Sequence, residues 1–292
     1  MREDAGRLLV FGLGYSGQAI ALAARVAGFE VLVTSRRDVA GAAVEVVPFA
    51  AAQGAVAWAT HIVATAAPDA QGDPVLACYE AEIRAAQALR WVGYLSTTGV
   101  YGNRDGDWVD EGTAPMPGSE RARRRVMAEA QWAALPVAVD VFRLAGIYGP
   151  GRSMFDDLRA GEARHVVKPG HLFGRIHRDD IAQGVVAAMR QVVPPGLRIF
   201  NFSDDVPAAS AEVVCEAARL LGVAPPEPVD FEAARKRMSP MALSFWAENR
   251  RVGNAQTKAT LGFAWKYPSY REGLRAILAE EHLQAAGQQS QV

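Results

Sequence analysis

Neither a disulfide framework nor a zinc site can be drawn on this chain, because its two cysteines, Cys78 and Cys215, stand far apart and form no Cys-x-x-Cys spacing. Reduced thiols suit a cytoplasmic protein, and no metal is expected. Long apolar runs are missing as well. The stretch Met1 to Leu9 carries charges of both signs and leads into an apolar run of about five residues, too short for a signal-peptide core or a membrane span. Excess charge is the third absence: 31 basic residues meet 32 acidic ones, so no net field draws the chain to nucleic acid or to an anionic membrane. No internal repeat is present. What remains is a chain of 292 residues, 50% apolar, able to bury a large core and suited to a small-molecule partner.

Apolar runs and helical stripes alternate along its first half. Leu8 to Phe11, Val31 to Thr34, His61 to Ala64, Trp91 to Ser96 and Val137 to Leu144 read as strands. Between them, Ser16 to Ala27, a segment opening near Pro74 with Leu76, Tyr79, Ile83 and Ala86 on one face, and Ser119 to Ala134 read as helices. Strands apolar on both faces that alternate with helices predict an α/β fold, a parallel sheet wound on both sides. Past Leu144, Gly149-Pro150-Gly151, Pro169-Gly170 and Pro194-Pro195-Gly196 break the rhythm, and a smaller, loop-rich part begins. Within it, Asp179 to Met189, the stripe Ala211, Val214, Ala218, Leu221, and Tyr270 to Ala286 read as helices, Arg198 to Phe202 as a strand, and the Gln-rich tail after Gly287 as frayed.

Gly12-x-Gly14-x-x-Gly17 closes the first strand and opens the first helix, with Tyr15 and Ser16 inside the turn. There the peptide amides and the helix dipole would face a dinucleotide's diphosphate; a tight structural turn is the plainer alternative. An NAD-binding strand of this kind ends in an acidic residue, whereas this one ends Thr34-Ser35-Arg36-Arg37. Two guanidiniums suit a 2′-phosphate, which favours NADP(H) and leaves NAD(H) second; the alternative is a solvated basic loop. Ala66, just beyond the third strand, is placed in the same site.

Several further segments carry a specific resemblance. Tyr94-Leu95-Ser96-Thr97-Thr98-Gly99-Val100-Tyr101-Gly102 resembles the strand end of extended short-chain dehydrogenases/reductases that bears the active-site Ser/Thr. Phe142 to Gly151 is similar to the family segment that passes the nicotinamide at Gly146 and enters the substrate region. Ile176 to Ala182 and Ile199 to Ser203 resemble its return to the main domain. Arg251 to Ala255, Leu261-Gly262 and Tyr267 to Leu274 resemble an atypical bacterial branch labelled NAD-dependent epimerase/dehydratase. The resemblance implies a Rossmann-type dinucleotide-binding domain over residues 1–147, rejoined by 176–203. Residues 148–175 and 204–292 would form the smaller substrate-binding region, and a homodimer is compatible with it.

One departure stands out. The family places a Tyr-x-x-x-Lys pair on the helix after the Ser/Thr, where the lysine lowers the phenol's pKa for proton exchange during hydride transfer. Here no lysine precedes Lys168 and no tyrosine is followed by lysine four residues on. Aligned on Pro117 and Glu129, Arg121 and Arg125 take the two places on one helical face. Thr97 matches the family hydroxyl, with a strand-end cap as its plain alternative. Arg121, Arg125 and Thr97 are therefore the catalytic candidates, Arg125 and Thr97 also facing the cofactor. Tyr101 and Tyr148 could supply a displaced phenol, and each is also a residue type that packs readily at strand ends. His177, Arg152 and Arg175 are the substrate candidates. The expectation is an NADP(H)-binding oxidoreductase or epimerase/dehydratase acting on a small polar or sugar-like substrate; the alternative is a non-catalytic NADP(H)-binding sensor or regulatory protein.

Overall fold

Short apolar runs pair side by side into one sheet. In the computed structural model, which describes residues 6–39 and 41–289, β1 (Arg7–Phe11) lies between β2 (Glu30–Ser35) and β4 (His61–Ala64). β3 (Glu45–Pro48) extends the sheet on the β2 side. β5 (Trp91–Thr97), β7 (Ala138–Leu144) and β11 (Gly196–Phe202) extend it on the other, giving the order β11-β7-β5-β4-β1-β2-β3 with every pair parallel. Met1 to Ala5 of the N-terminal run and Ser290 to Val292 of the tail lie outside the described residues.

Successive side chains of a strand point to opposite faces, so each strand feeds two cores. Leu8 and Val10 face α1 (Tyr15–Val26) and α6 (Arg178–Met189), among Ile20, Ala24, Ile181 and Val185. Leu9 and Phe11 face the layer of α2 (Gln53–Trp58), α3 (Pro74–Ala85) and α4 (Glu120–Ala133), among Val56, Leu76, Tyr79 and Trp132. Asp73 starts α3: one carboxylate oxygen accepts from the amides of Val75 and Leu76, and the other from Trp132 Nε1 at 3.1 Å, which ties α3 to α4. The chain turns in opposite directions from β1 and β4. That reversal leaves a crevice beyond the carboxyl ends of the strands, where ligands of doubly wound sheets bind.

The remaining elements include one wall of that crevice. β6 (Trp108–Val109), β8 (Gly146–Tyr148), α5 (Met154–Arg159), β9 (Val166–Val167), β10 (Arg175–His177), α7 (Ser210–Leu221), β12 (Val229–Asp230), α8 (Phe231–Ala234), α9 (Pro240–Trp246), β13 (Arg251–Val252), α10 (Ala255–Leu261) and α11 (Tyr270–Gln289) are mostly short. β8 pairs with β10, β9 with β12, and β6 with β13, each in parallel. α5, α7 and α11 close over Phe155, Val213, Ala217, Tyr270 and Leu274. α11 continues past Ala286 to Gln289, so helix occupies part of the expected frayed tail. β3 and α2 have no counterpart in the sequence reading. No described helix is long and apolar enough to cross a membrane.

Candidate functional site

A cleft of about 680 Å³ opens where β1, β4, β5 and β7 end. The glycine turn forms its floor. Gly12 takes φ +110°, and a Cβ there would meet Thr65 Oγ1 at 2.5 Å. A Cβ on Gly17 would stand 2.0 Å from the Gly12 carbonyl oxygen, so only hydrogen lets α1 approach the turn. Gly14, by contrast, would meet nothing within 4 Å. It is the N-cap of α1, which no side chain caps and whose first turn holds no acidic residue. Gly14, Tyr15, Ser16 and Gly17 all line the cleft. The Tyr15 hydroxyl donates to the Pro150 carbonyl at 3.0 Å, and burial raises its pKa against the pull of Arg178 and Arg152.

β5 and α4 form the opposite side. Thr97 Oγ1 accepts from the Gly99 amide at 3.1 Å, capping the turn Thr98–Tyr101 while still lining the cleft. Arg125 Nη1 donates to the Leu95 carbonyl at 2.7 Å and to the Tyr94 hydroxyl at 3.0 Å. Arg121, one turn earlier, is exposed on the same wall. A buried chain of bonds beneath sets this register. Ser96 Oγ donates to Glu129 at 2.5 Å, and Arg143, 2% exposed, grips both oxygens of Glu129 at 3.2 and 2.8 Å.

The third wall comes from β8, β10 and the segment around α9. Gly146 lines it, where a Cβ would come within 3.3 Å of the Gly174 carbonyl. Arg175 Nη1 donates to the carbonyls of Phe173 and Ala208, both at 3.1 Å, and burial lowers its pKa. Arg152 and Arg175 also face an adjoining cavity of about 470 Å³. Phe173, Ser244, Phe245, Trp246, Glu248 and Arg250 line the cleft too, and none carries a spacing that singles it out in the sequence. Glu248 is the one carboxylate among the lining residues, and it is paired with Arg250 at 2.7 Å.

Several sequence candidates stand elsewhere. His177 is corrected: it is 1% exposed, caps α6 by accepting from the Asp179 amide at 3.2 Å, and packs 4.1 Å from the Tyr267 ring. Burial lowers its pKa to about 4, so it is a neutral core imidazole and does not face the cleft. Gly12 lies beneath the turn, against Thr65. Ala66 packs on the α3 side of the core. Ser35 Oγ accepts from the Arg37 amide at 3.1 Å in a local turn, with Arg36 and Arg37 exposed at the end of β2, outside the cleft's lining. Tyr148 lines the cleft, but its hydroxyl donates to the Ser269 carbonyl and burial raises its pKa. Tyr101 is buried, donates to Asn201 Oδ1 at 2.7 Å, and is likewise raised by burial. Among the described residues, no group of three or more His, Cys, Asp or Glu could hold a metal ion.

No protein-family profile matches the chain. Among curated proteins, it is 32% identical over 138 residues to protein YeeZ of Escherichia coli K12, which covers 46% of this chain and 47% of that one, so the match spans about half the length of the relative. Among solved structures, a conserved protein of unknown function from Silicibacter pomeroyi DSS shares 44% identity over 94% of this chain and 99% of its own, with a TM-score of 0.87. A protein from Methylobacillus flagellatus assigned as an NAD-dependent epimerase/dehydratase shares 24% over 95% and 99%, TM-score 0.74. The human epimerase family protein SDR39U1, determined with NADPH, shares 18% over 93% and 98%, TM-score 0.74. The parallel seven-stranded sheet, the glycine turn at its switch point and these likenesses together give the chain the Rossmann-type fold of NAD-dependent epimerase/dehydratase-like short-chain dehydrogenases/reductases, and place it in one family with the Silicibacter pomeroyi protein.

Proposed function

We propose that the protein binds NADP(H) in this cleft and carries out oxidoreductase or epimerase/dehydratase chemistry on a small polar or sugar-like substrate. The observation that carries the reading is the glycine turn: Gly17 is forced by the backbone behind it, whereas Gly14 opens onto empty space at an uncapped helix N-terminus. Such a cradle fits a diphosphate. Arg36 and Arg37, at the end of β2, would take a 2′-phosphate and so favour NADP(H), while solved neighbours hold either NADPH or NAD. When bound, the nicotinamide supplies hydride exchange.

The chain's own groups position and polarise. Thr97 Oγ1 already accepts one hydrogen bond, which leaves its own hydrogen to donate to a substrate oxygen. Arg125, fixed by Leu95 and Tyr94, holds ribose hydroxyls in the place of the family lysine. Arg121 steadies negative charge as it develops. The phenols of Tyr15 and Tyr148 are bonded to carbonyls. In this reading Thr97 is the hydroxyl through which the proton reaches or leaves the substrate oxygen. Titrating the folded, ligand-free protein with NADP⁺, NADPH, NAD⁺ and NADH tests the binding step. Micromolar affinity for the phosphorylated pair is expected, and no binding of any of the four at millimolar concentration overturns the reading.

A second reading, a non-catalytic sensor of the NADP⁺/NADPH ratio, draws on the same cleft. The one carboxylate lining it is already ion-paired, and no lining phenol is free. Markedly unequal affinities for the two redox forms, with no turnover across carbonyl and sugar panels, would favour it; turnover would exclude it.

A further inference from the structure

Away from the cleft, the structure sets a nucleophile beside a base that nothing described so far uses. Cys215 lies on α7 and is exposed. Its Sγ stands 3.7 Å from His165 Nε2. The other ring nitrogen, Nδ1, stands 2.9 Å from the carbonyl oxygen of Pro226. A carbonyl can only accept, so Nδ1 carries the ring hydrogen and Nε2 presents a lone pair to the thiol. This tautomer is the one a general base for sulfur requires.

The imidazole is held from both ends. The His165 carbonyl accepts from the Val229 amide at 2.8 Å, where the β9 and β12 ladder begins. Pro225 and Pro226 restrict the backbone that supplies the Nδ1 acceptor. The neighbouring charges on α7, Glu216 and Arg219, are paired with each other at 2.8 Å, so neither draws the imidazole away from sulfur. Cys78 is also exposed, on α3, yet no imidazole bonds to it among the described residues. One chain thus holds a base-assisted thiol and its unassisted control.

We propose that Cys215 is a site of reversible S-thiolation, activated by His165 and directed at small organic disulfides. In the forward step His165 Nε2 takes the thiol proton as Sγ attacks one sulfur of R–S–S–R. The R–S–S–R bond breaks, a Cys215 Sγ–S–R bond forms, and the departing thiolate takes the proton back from the imidazolium to leave as R–SH. Cys215 is oxidised to the mixed disulfide while the departing sulfur is reduced, and excess thiol reverses the exchange. This proposal is independent of what the cleft binds.

The test uses 5,5′-dithiobis(2-nitrobenzoate) as the disulfide, with release of the coloured thiolate timed at neutral pH and the modified residue located by peptide mass. In Cys78→Ser protein the remaining thiol is Cys215; in Cys215→Ser protein it is Cys78. Cys215 should react at least about fivefold faster than Cys78, and His165→Asn in the Cys78→Ser background should bring it down to the Cys78 rate. Equal rates in the two single-thiol proteins overturn the proposal without any change at His165. A Cys215 rate untouched by His165→Asn, in protein whose melting curve is unchanged, overturns it as well.

Discussion

Gly14 and Gly17 answer to different neighbours. A methyl at Gly17 collides with backbone, so its smallness serves the fold; a methyl at Gly14 collides with no protein atom, and its φ of −88° suits any residue. Gly14→Ala should therefore leave stability within about 0.5 kcal/mol while weakening dinucleotide binding, as a melting curve and a calorimetric titration on one sample would show. If Arg36 takes the 2′-phosphate as proposed, Arg36→Ala should weaken NADPH roughly tenfold and leave NADH almost unchanged, because the guanidinium is exposed at the end of β2. Equal losses for both would refute its role. His177 predicts a pH effect. Its folded pKa of about 4 lies below the ordinary 6.5, so the unfolded chain binds the extra proton first as pH falls. The stability it confers is whole above pH 6.5 and is lost toward pH 4. His177→Asn keeps a helix cap and cannot titrate, so the wild type's advantage over it in denaturant melts should shrink across that window.

At the scale of elements, α4 is placed by charge as much as by packing. Glu129 and Arg143 are both buried, and removing one partner strands the other. Glu129→Ala should cost about 3–5 kcal/mol in urea unfolding and displace Arg121 and Arg125 from the cleft wall. The same scale explains what could be read from the chain. Trp91 to Ser96 and Val137 to Leu144 were legible as strands because they are buried on both faces and so are mostly apolar, with the ion-paired Asp140 and Arg143 as the charged exceptions. β3 escaped because it is an edge strand of four residues, with Glu45 and Pro48 exposed and two half-buried valines between them. α9 escaped because Pro240 to Trp246 is apolar nearly all round, so no single face marked it as a helix or as a wall of the cleft. The glycine spacing and the four-residue interval from Arg121 to Arg125 survive folding as neighbours because each lies within one element. His177 shows the limit, since local pattern cannot say whether a histidine before a helix turns outward or into the core.

Across the whole molecule, the chain leaves the sheet at Leu144, returns through β10, and departs again after Phe202. Asp204 sits at this junction: its amide donates to the Arg175 carbonyl at 2.6 Å, and one carboxylate oxygen is buried without a partner. Burial raises its pKa to about 8, so the folded protein holds a proton that the unfolded chain releases near pH 4. Stability contributed here is present at low pH and drains away as pH climbs toward 8. Asp204→Asn removes the penalty, and its melting temperature relative to wild type should climb between pH 5 and pH 9. A flat difference would place the group's titration elsewhere.

The junction has a mechanical meaning too. Outgoing and returning strands run side by side as β8 and β10, and main-chain bonds join Ala145 to Phe202 and Gly146 to Gly174. A seam laced at so many points resists the jaw-like swing that a single linker would permit, since any large rotation would have to unpick the stitches together. The seam thereby keeps both banks of the crevice at a constant gauge.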